Sequence, residues 1–343
     1  MIVTFFLSDL HACGHVRGEV VARAVNEQYP NHLVVCKTDI LISDFKRSNV
    51  MVFQRTSEAG AFQKMMLAKR MGIKVVYEVD DDLFNIPPEF QKPYIYYAEP
   101  SVRAQIGECL RNADAIITST VPLAHALKPH SEGVPKYVVP NALDVESWDG
   151  VFSRRQAQQA NGKVTIGWMA SGSHAIDAPL VTQGLQQLMG EYPNLHLHLI
   201  GWVGWEQLGT GMAQYKDRIK TEPWVNVVQL PECMSDIDIG LAPLVDNAFN
   251  RSKSNIKWAQ YAALGAPCIA SPLPPYETVT HNEDGFLPPG NTPGAWYAVM
   301  KYVLDNPAHR FSAGMKAREE LVAKWDVQKT CGNWITVFDR VAA

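Results

Sequence analysis

The sequence predicts an α/β fold made of two parallel-sheet domains, and three observations predict it. Short apolar runs alternate with helix-length amphipathic stretches along both halves, the pattern of repeated strand–helix–strand units. The 343 residues suffice for two cores of ordinary size. Between residues 145 and 162 the apolar pattern lapses into a polar, Gln-rich stretch, the expected linker and hinge.

In the first half, residues 2–7 are the first expected strand, and the loop from Ser8 to His15 leads into a helix at about 16–28. Strands follow at 32–36 and 50–53, then a helix at about 58–71 and a strand at 73–79 that ends in Asp80, Asp81 and Asp82. A helix near 102–112 precedes a strand at 115–118, and residues 137–139 close the half. The second half opens with a strand at 163–168 and the small-residue loop Ala170-Ser171-Gly172-Ser173-His174. A helix at about 178–192, strands at 196–200 and 225–230, helices near 293–304 and 308–323, and a helical pattern at 327–341 are expected around the stretch discussed next.

That stretch is residues 236–271. It begins as an apolar strand (Ile237, Ile239, Leu241), breaks at Pro243 into a polar loop carrying Asn247, Asn250, Arg251 and Lys253, and reads as a helix from Ser254. Gly265 and Pro267 stop the helix, and Cys268-Ile269-Ala270 is a second buried strand. In open parallel sheets ligands bind where such loops meet helix N-termini. Ser254 and Asn255 suit a helix start whose free N–H groups attract phosphate, and Arg251 and Lys253 add positive charge. An ordinary capped helix with solvated charges accounts for the same residues. The Ser171-Gly172-Ser173 loop likewise reads as a phosphate approach or as a plain turn. Lys257, one turn into the helix, faces either phosphate or solvent.

Asp80, Asp81 and Asp82 stand where active-site loops converge, at the carboxyl end of a strand. They are candidates to orient a hydroxyl, to take its proton, or to hold a divalent ion as an Asp-x-Asp motif. A capped acidic turn is the alternative. Adjacent like charges should raise the pKa of at least one of them. Gly14 and His15 in the first strand-to-helix turn, Arg55 after the strand at 50–53, and Trp202 and Trp205, which suit interdomain packing or stacking on a base or sugar, complete the candidates.

Composition excludes several classes. Hydrophobic residues make up 47% and charged ones 19%, which marks a packed globular chain. The net charge of −4 gives no global basic field for nucleic acid, so a nucleic-acid groove would need a local rim of Arg17, Lys46, Arg47, Arg55, Lys64, Lys69 and Arg70. The six cysteines are scattered without a CxxC, and the histidines do not cluster, which points to reduced thiols rather than disulfides or zinc. The N-terminus is briefly apolar but lacks a basic region and reaches Asp9 quickly, so it is expected to be a strand rather than a signal peptide. No run approaches the roughly 18 apolar residues of a membrane span. No transmembrane segment and a cytoplasmic setting are expected.

The run Ala263-Leu264-Gly265-Ala266-Pro267-Cys268-Ile269-Ala270-Ser271 resembles the donor-binding segment of retaining GT-B glycosyltransferases of the "glycosyl transferases group 1" kind. Gln260 falls where that family carries the glutamate that holds the nucleotide ribose, and Ser252 where it carries an earlier glutamate. Val138-Val139-Pro140-Asn141-Ala142-Leu143-Asp144 resembles the segment that leads out of the family's first domain. The resemblance covers nearly the full chain and is strongest from residue 138 onward.

It implies a GT-B fold: two Rossmann-like domains facing across a cleft, with a C-terminal helix crossing back to the first. Residues 1–145 with 325–343 would form the acceptor side and 146–324 the nucleotide-sugar side. The implied activity moves a sugar from a nucleotide diphosphate donor, UDP-linked, to an acceptor hydroxyl with retention. The acceptor is a glycan or lipid-linked sugar by default, with a hydroxylated DNA base as the minority alternative. Asp80, Asp81, Asp82 and His15 would be catalytic. Gly14, Ser171, Gly172, Ser173, Arg251, Lys253, Ser254, Asn255, Lys257 and Gln260 would hold the donor. No metal and no cofactor is implied, the nucleotide sugar being a co-substrate. A non-hydrolysing nucleotide-sugar epimerase shares this architecture, and Gln260 with Ser252 also leaves open an inactive sugar-nucleotide-binding protein.

Overall fold

The computed structural model describes residues 1–157, 162–201 and 205–343. Trp202 and residues 158–161 of the expected linker lie outside the described residues, as do the side chains of Ser173 and Trp205.

The chain gathers into two units. The first holds residues 1–143, 251–254 and 326–343. Its sheet has six parallel strands: β1 (Ile2–Phe6), β2 (Leu33–Lys37), β3 (Val50–Gln54), β4 (Lys74–Val79), β5 (Ala115–Thr118) and β6 (Lys136–Val138), in the order β2-β1-β3-β4-β5-β6. Val3, Phe5, Val50, Val52, Val76 and Ile117 are buried in its core. Parallel strands covered on both faces must be apolar throughout, which is why these segments read as unbroken apolar runs. The terminal helix Gly332–Ala342 belongs to this core. Its Trp334 and Phe338 rings lie 5.8 and 5.9 Å from the Phe5 ring.

The second unit holds residues 144–250 and 255–325. Its strands are β7 (Val164–Ala170), β8 (Leu195–Gly201), β9 (Ile219–Glu222), β10 (Ile239–Ala242) and β11 (Cys268–Ala270), all parallel in the order β11-β10-β7-β8-β9. Ile166, Trp168, Leu197, Leu199, Leu241, Trp296 and Met300 form its core. Gly240 on β10 has no substitute, because a Cβ there would stand 2.1 Å from the buried Tyr261 ring. That ring is itself fixed, since its hydroxyl accepts from the Met169 N–H at 3.2 Å.

In each sheet the strand order reverses once, between β1 and β3 in the first unit and between β7 and β10 in the second. A crevice opens at such a point outside the carboxyl ends of the strands.

Several expected elements differ. The stretch expected as a linker contains the helix Glu146–Ala157. It buries only Trp148 and Val151, and ion pairs and a side-chain hydrogen bond tie its other face. Arg154 pairs with Glu232, Arg155 donates to the Leu264 carbonyl at 3.1 Å, and Asp149 pairs with Arg318. Acids in its first turn and arginines in its last also match the helix dipole. The strand expected at 225–230 is a turn and a short 3-10 segment, Val227–Gln229. There the Asn226 side chain accepts from the Val228 N–H and leaves Val228 71% exposed. The edge strand is instead the polar Ile219–Glu222. The helix expected at 178–192 divides into a 3-10 segment Gly172–Leu180, which contains Pro179, and the helix Thr182–Glu191.

Candidate functional site

The crevice of the second unit is lined by the loops after β7 and β10. After β7 the chain turns at Ser171, which is extended, and enters the 3-10 segment at Gly172. Asp177 in that segment is completely buried and ties the two loops together. Its Oδ1 accepts from the Val245 N–H at 2.6 Å and from Asn250 Nδ2 at 3.1 Å, and its Oδ2 lies 2.8 Å from His174 Nδ1. Ser271, at the end of β11, accepts the Leu244 N–H at 2.8 Å, and the Asn291 amide donates to the Leu244 carbonyl at 2.7 Å. The loop after β10 is thus held along its length by buried polar side chains.

The helix Ile256–Ala263 follows. Asn255 precedes it but makes no capping bond, its amide donating instead to Thr278 Oγ1 at 3.3 Å. First-turn N–H groups of a helix have no intrahelical acceptor, so such an end favours an anion. Lys257 is half-buried on the first turn. Gln260 is buried, and its amide oxygen has no donor among the described residues. A buried acceptor left unmade costs about 1–3 kcal/mol, so a ligand hydroxyl at this oxygen would bind with a gain.

The crevice of the first unit lies at β1 and β3. Gly14 stands against the main chain, and a Cβ there would meet the Asp9 carbonyl oxygen at 2.0 Å, so its glycine is dictated by the turn itself. His15 Nδ1 lies 3.0 Å from Glu19 Oε2. Arg55, just past β3, has a positive φ of 49°, and its Nη1 reaches Cys13 Sγ at 2.9 Å, Asp80 Oδ1 at 3.2 Å and Asp81 Oδ2 at 3.5 Å. Burial, reinforced by Asp80, pushes the Cys13 thiol well up and keeps it protonated. Lys253 Nζ stands 4.0 Å from Asp81 Oδ1. Two cations therefore face two partly buried carboxylates.

Asp82 is not part of this cluster. It is buried in its own turn, accepting from the Phe84 N–H at 3.2 Å and Asn85 Nδ2 at 2.9 Å. Its pKa is raised by burial rather than by its neighbours' charge. The capped-turn alternative describes Asp82, whereas Asp80 and Asp81 face the crevice cations. Among the described residues no group of three or more acids, histidines or cysteines is arranged to hold a metal ion. Five of the seven residues of the expected basic rim are paired with acids: Arg17 with Glu78, Arg47 with Asp44, Arg55 with Asp80, Lys64 with Asp39 and Lys69 with Asp114.

Of the expected donor residues, Asn255, Lys257 and Gln260 share one helix of the second unit, with Ser171, Gly172 and the Ser173 backbone on its β7 loop. Arg251, Lys253 and Ser254 belong to the first unit, with Gly14, His15 and the aspartates. Asp177 and Glu78 were not expected. An aspartate in a turn gives no signal. Glu78 does give one, since a carboxylate in an otherwise apolar parallel strand needs a buried partner. That partner is Arg17, whose Nε donates to Glu78 Oε1 at 2.7 Å.

Burial raises the Glu78 pKa to about 7 against the opposing pull of Arg17. The folded chain thus keeps this proton up to about pH 7, while the unfolded chain releases it near 4.5. Between these values the folded state binds more protons, so stability falls as pH rises through the window and is level above it. Glu78→Gln should flatten that slope, removing a pH-dependent contribution on the order of 1–3 kcal/mol. Urea melts of both proteins across the window check it, and parallel slopes would place the proton elsewhere.

No helix among the described residues is long and apolar enough to cross a membrane, and all six cysteines are free. No curated protein sequence matches the chain. Residues 165–306 match the family model described as Glycosyl transferases group 1, which covers the body of the second unit. Among solved structures, the Anabaena HepE complex with UDP and glucose is 14% identical, with 98% of this chain and 99% of that chain covered at a TM-score of 0.69. The HepE complex with UDP-glucose is also 14% identical, with 100% and 98% covered at 0.68. Sucrose-phosphate synthase from Thermosynechococcus elongatus is 13% identical, with 99% and 98% covered at 0.65. The chain has the GT-B fold of the glycosyltransferases, and its second unit carries the glycosyl transferases group 1 match.

Proposed function

We propose that this chain is a glycosyltransferase that moves a sugar from a UDP-linked donor to an acceptor hydroxyl with retention at the anomeric carbon. The observation that carries this is the glycosyl transferases group 1 match over the unit whose β7/β10 crevice adjoins the Asn255 helix start. Two further features support it. Gln260 offers a buried amide oxygen without a donor at the position where the family holds a ribose. The HepE structures contain UDP and UDP-glucose.

In this reading the diphosphate is met by Arg251, Lys253, the Ser171-Gly172-Ser173 turn and the first-turn amides after Asn255, with Lys257 adjoining and Gln260 on the ribose. As the bond from the anomeric carbon to the diphosphate oxygen breaks, its electron pair leaves with UDP. The acceptor oxygen bonds the same face, and its proton passes to the departing phosphate. Asp81 and Asp80 orient the acceptor and offset positive charge at the sugar. Protein cations and helix amides meet the leaving charge, so no divalent ion is needed. A reduced cytoplasmic setting suits the six free thiols.

The test is UDP release from UDP-sugars against glycan, lipid-linked and hydroxymethylated-DNA acceptors. Release is expected only with an acceptor, and it should continue in excess EDTA. Asp81→Asn is expected to slow turnover by roughly tenfold or more without loosening UDP, as expected of a group acting on the transition state. Acceptor-independent epimerisation of the donor would overturn the transferase reading. Complete loss in EDTA, restored by Mn²⁺, would overturn the metal-free one.

A further inference from the structure

The Val139-Pro140-Asn141 motif has no part in the chemistry proposed above, yet its asparagine stands in a largely buried chain of hydrogen bonds. Glu78 is completely buried on β4, and Arg17, equally buried, donates to it through Nε at 2.7 Å. The Arg17 guanidinium lies 4.6 Å over the Trp334 ring, and its Nη1 donates to the Val139 carbonyl at 2.7 Å and to Asn141 Oδ1 at 3.0 Å. Asn141 Nδ2 in turn donates to Ser254 Oγ at 2.8 Å. On the other side of Lys253, Thr120 Oγ1 donates to the Ser252 carbonyl at 2.8 Å. All of these residues belong to the first unit.

The chemistry selects the residue. An amide accepts and donates at once, so Asn141 serves a guanidinium on one side and a hydroxyl on the other. Because Arg17 can only donate, it fixes which end of the amide is oxygen and leaves the NH₂ for Ser254. Glu78 gives the buried Arg17 guanidinium a hydrogen-bond acceptor, without which it would be too costly to keep. Lys253 thus stands between two residues pinned at their own positions.

We propose that Asn141 is a positioning residue of the donor site: clamped by the Arg17–Glu78 pair, it fixes Ser254 and so presents Lys253 to the donor diphosphate. This rests on the donor reading given above. A lysine on a pinned backbone starts from fewer conformers and loses less freedom on meeting the phosphate.

The experiment is a calorimetric double-mutant cycle with UDP as the probe. Ser254→Ala and Asn141→Leu are each expected to raise the Kd for UDP by roughly tenfold, and the double variant by no more than either, as befits two partners in one bond. Asn141→Asp keeps the acceptor for Arg17 and can take a hydrogen bond from the Ser254 hydroxyl, so it should stay within about threefold of the parent. The melting temperature of Ser254→Ala should not move, which a purely structural tie would not allow. Lys253→Ala is the reference. Weakened UDP binding in Lys253→Ala with unchanged binding in Ser254→Ala would overturn the positioning role alone. Unchanged binding in Lys253→Ala would remove Lys253 from the donor site and overturn the positioning role with it. Effects that multiply in the double variant would mean two independent contributions, and would overturn the coupling.

Discussion

Lys253→Ala is expected to weaken UDP binding by roughly tenfold or more while leaving the fold intact. Lys253 is half-buried, with its ammonium 4.0 Å from Asp81. At that separation the pair is a weak contact, and Asp81 keeps Arg55 as a second cation. Removing the lysine therefore leaves no buried charge unpaired, and stability should change little. A charge-assisted bond to phosphate contributes about 1.5–3 kcal/mol, which corresponds to about ten- to hundredfold in affinity. Binding should fall more than in Asp80→Asn, since Asp80 is a carboxylate and contributes nothing to holding an anion. Calorimetry with UDP on the two variants decides the matter. Equal affinities for Lys253→Ala and the parent would remove Lys253 from the phosphate cradle.

Apart from the edge strand β9, the strands of both sheets are legible in the sequence because strands buried on both faces cannot alternate with polar residues. The run Val75-Val76-Tyr77-Glu78-Val79 shows both the rule and its limit. Its apolar residues announce the strand, while Glu78 announces a buried partner whose identity only the fold supplies. The helix Glu146–Ala157 is illegible for a physical reason: Trp148 and Val151 make no stripe, and its neighbours are held through Arg154, Arg155 and Asp149. Ionic contacts to residues distant in sequence leave no periodicity to read. Val225 to Leu230 misleads in the opposite sense, since β-branched residues suggest a strand where Asn226 makes a turn. In the candidate site, Asp80, Asp81 and Lys253 are legible as chemistry. Arg55 is a candidate from the sequence too, but that it gathers Cys13 and both aspartates is seen only once β3 and β4 are neighbours.

The second large effect is expected at Asp177, which the sequence does not single out. Asp177→Ala leaves the Val245 N–H and the His174 ring without this acceptor in a completely buried place, while the Asn250 amide keeps the Val245 carbonyl at 3.0 Å. Each buried polar group so deprived costs about 1–3 kcal/mol, so a loss of about 3 kcal/mol or more is expected from a domain stable by roughly 5–15 kcal/mol. Asp177→Asn is the milder change. Its amide oxygen still accepts the Val245 N–H, while its NH₂ meets a His174 nitrogen that accepts in the other tautomer. Urea melts should therefore place Asp177→Asn well above Asp177→Ala. The same pair separates stability from binding, because Asp177 anchors the loop that leads into Arg251 and Lys253. At a temperature where Asp177→Ala is still folded, its freed loop should present those cations poorly and UDP affinity should fall. Asp177→Asn should stay near the parent in both measurements. An Asp177→Ala protein within about 0.5 kcal/mol of the parent, the range of an indifferent surface site, would show that the loop after β10 does not depend on this carboxylate.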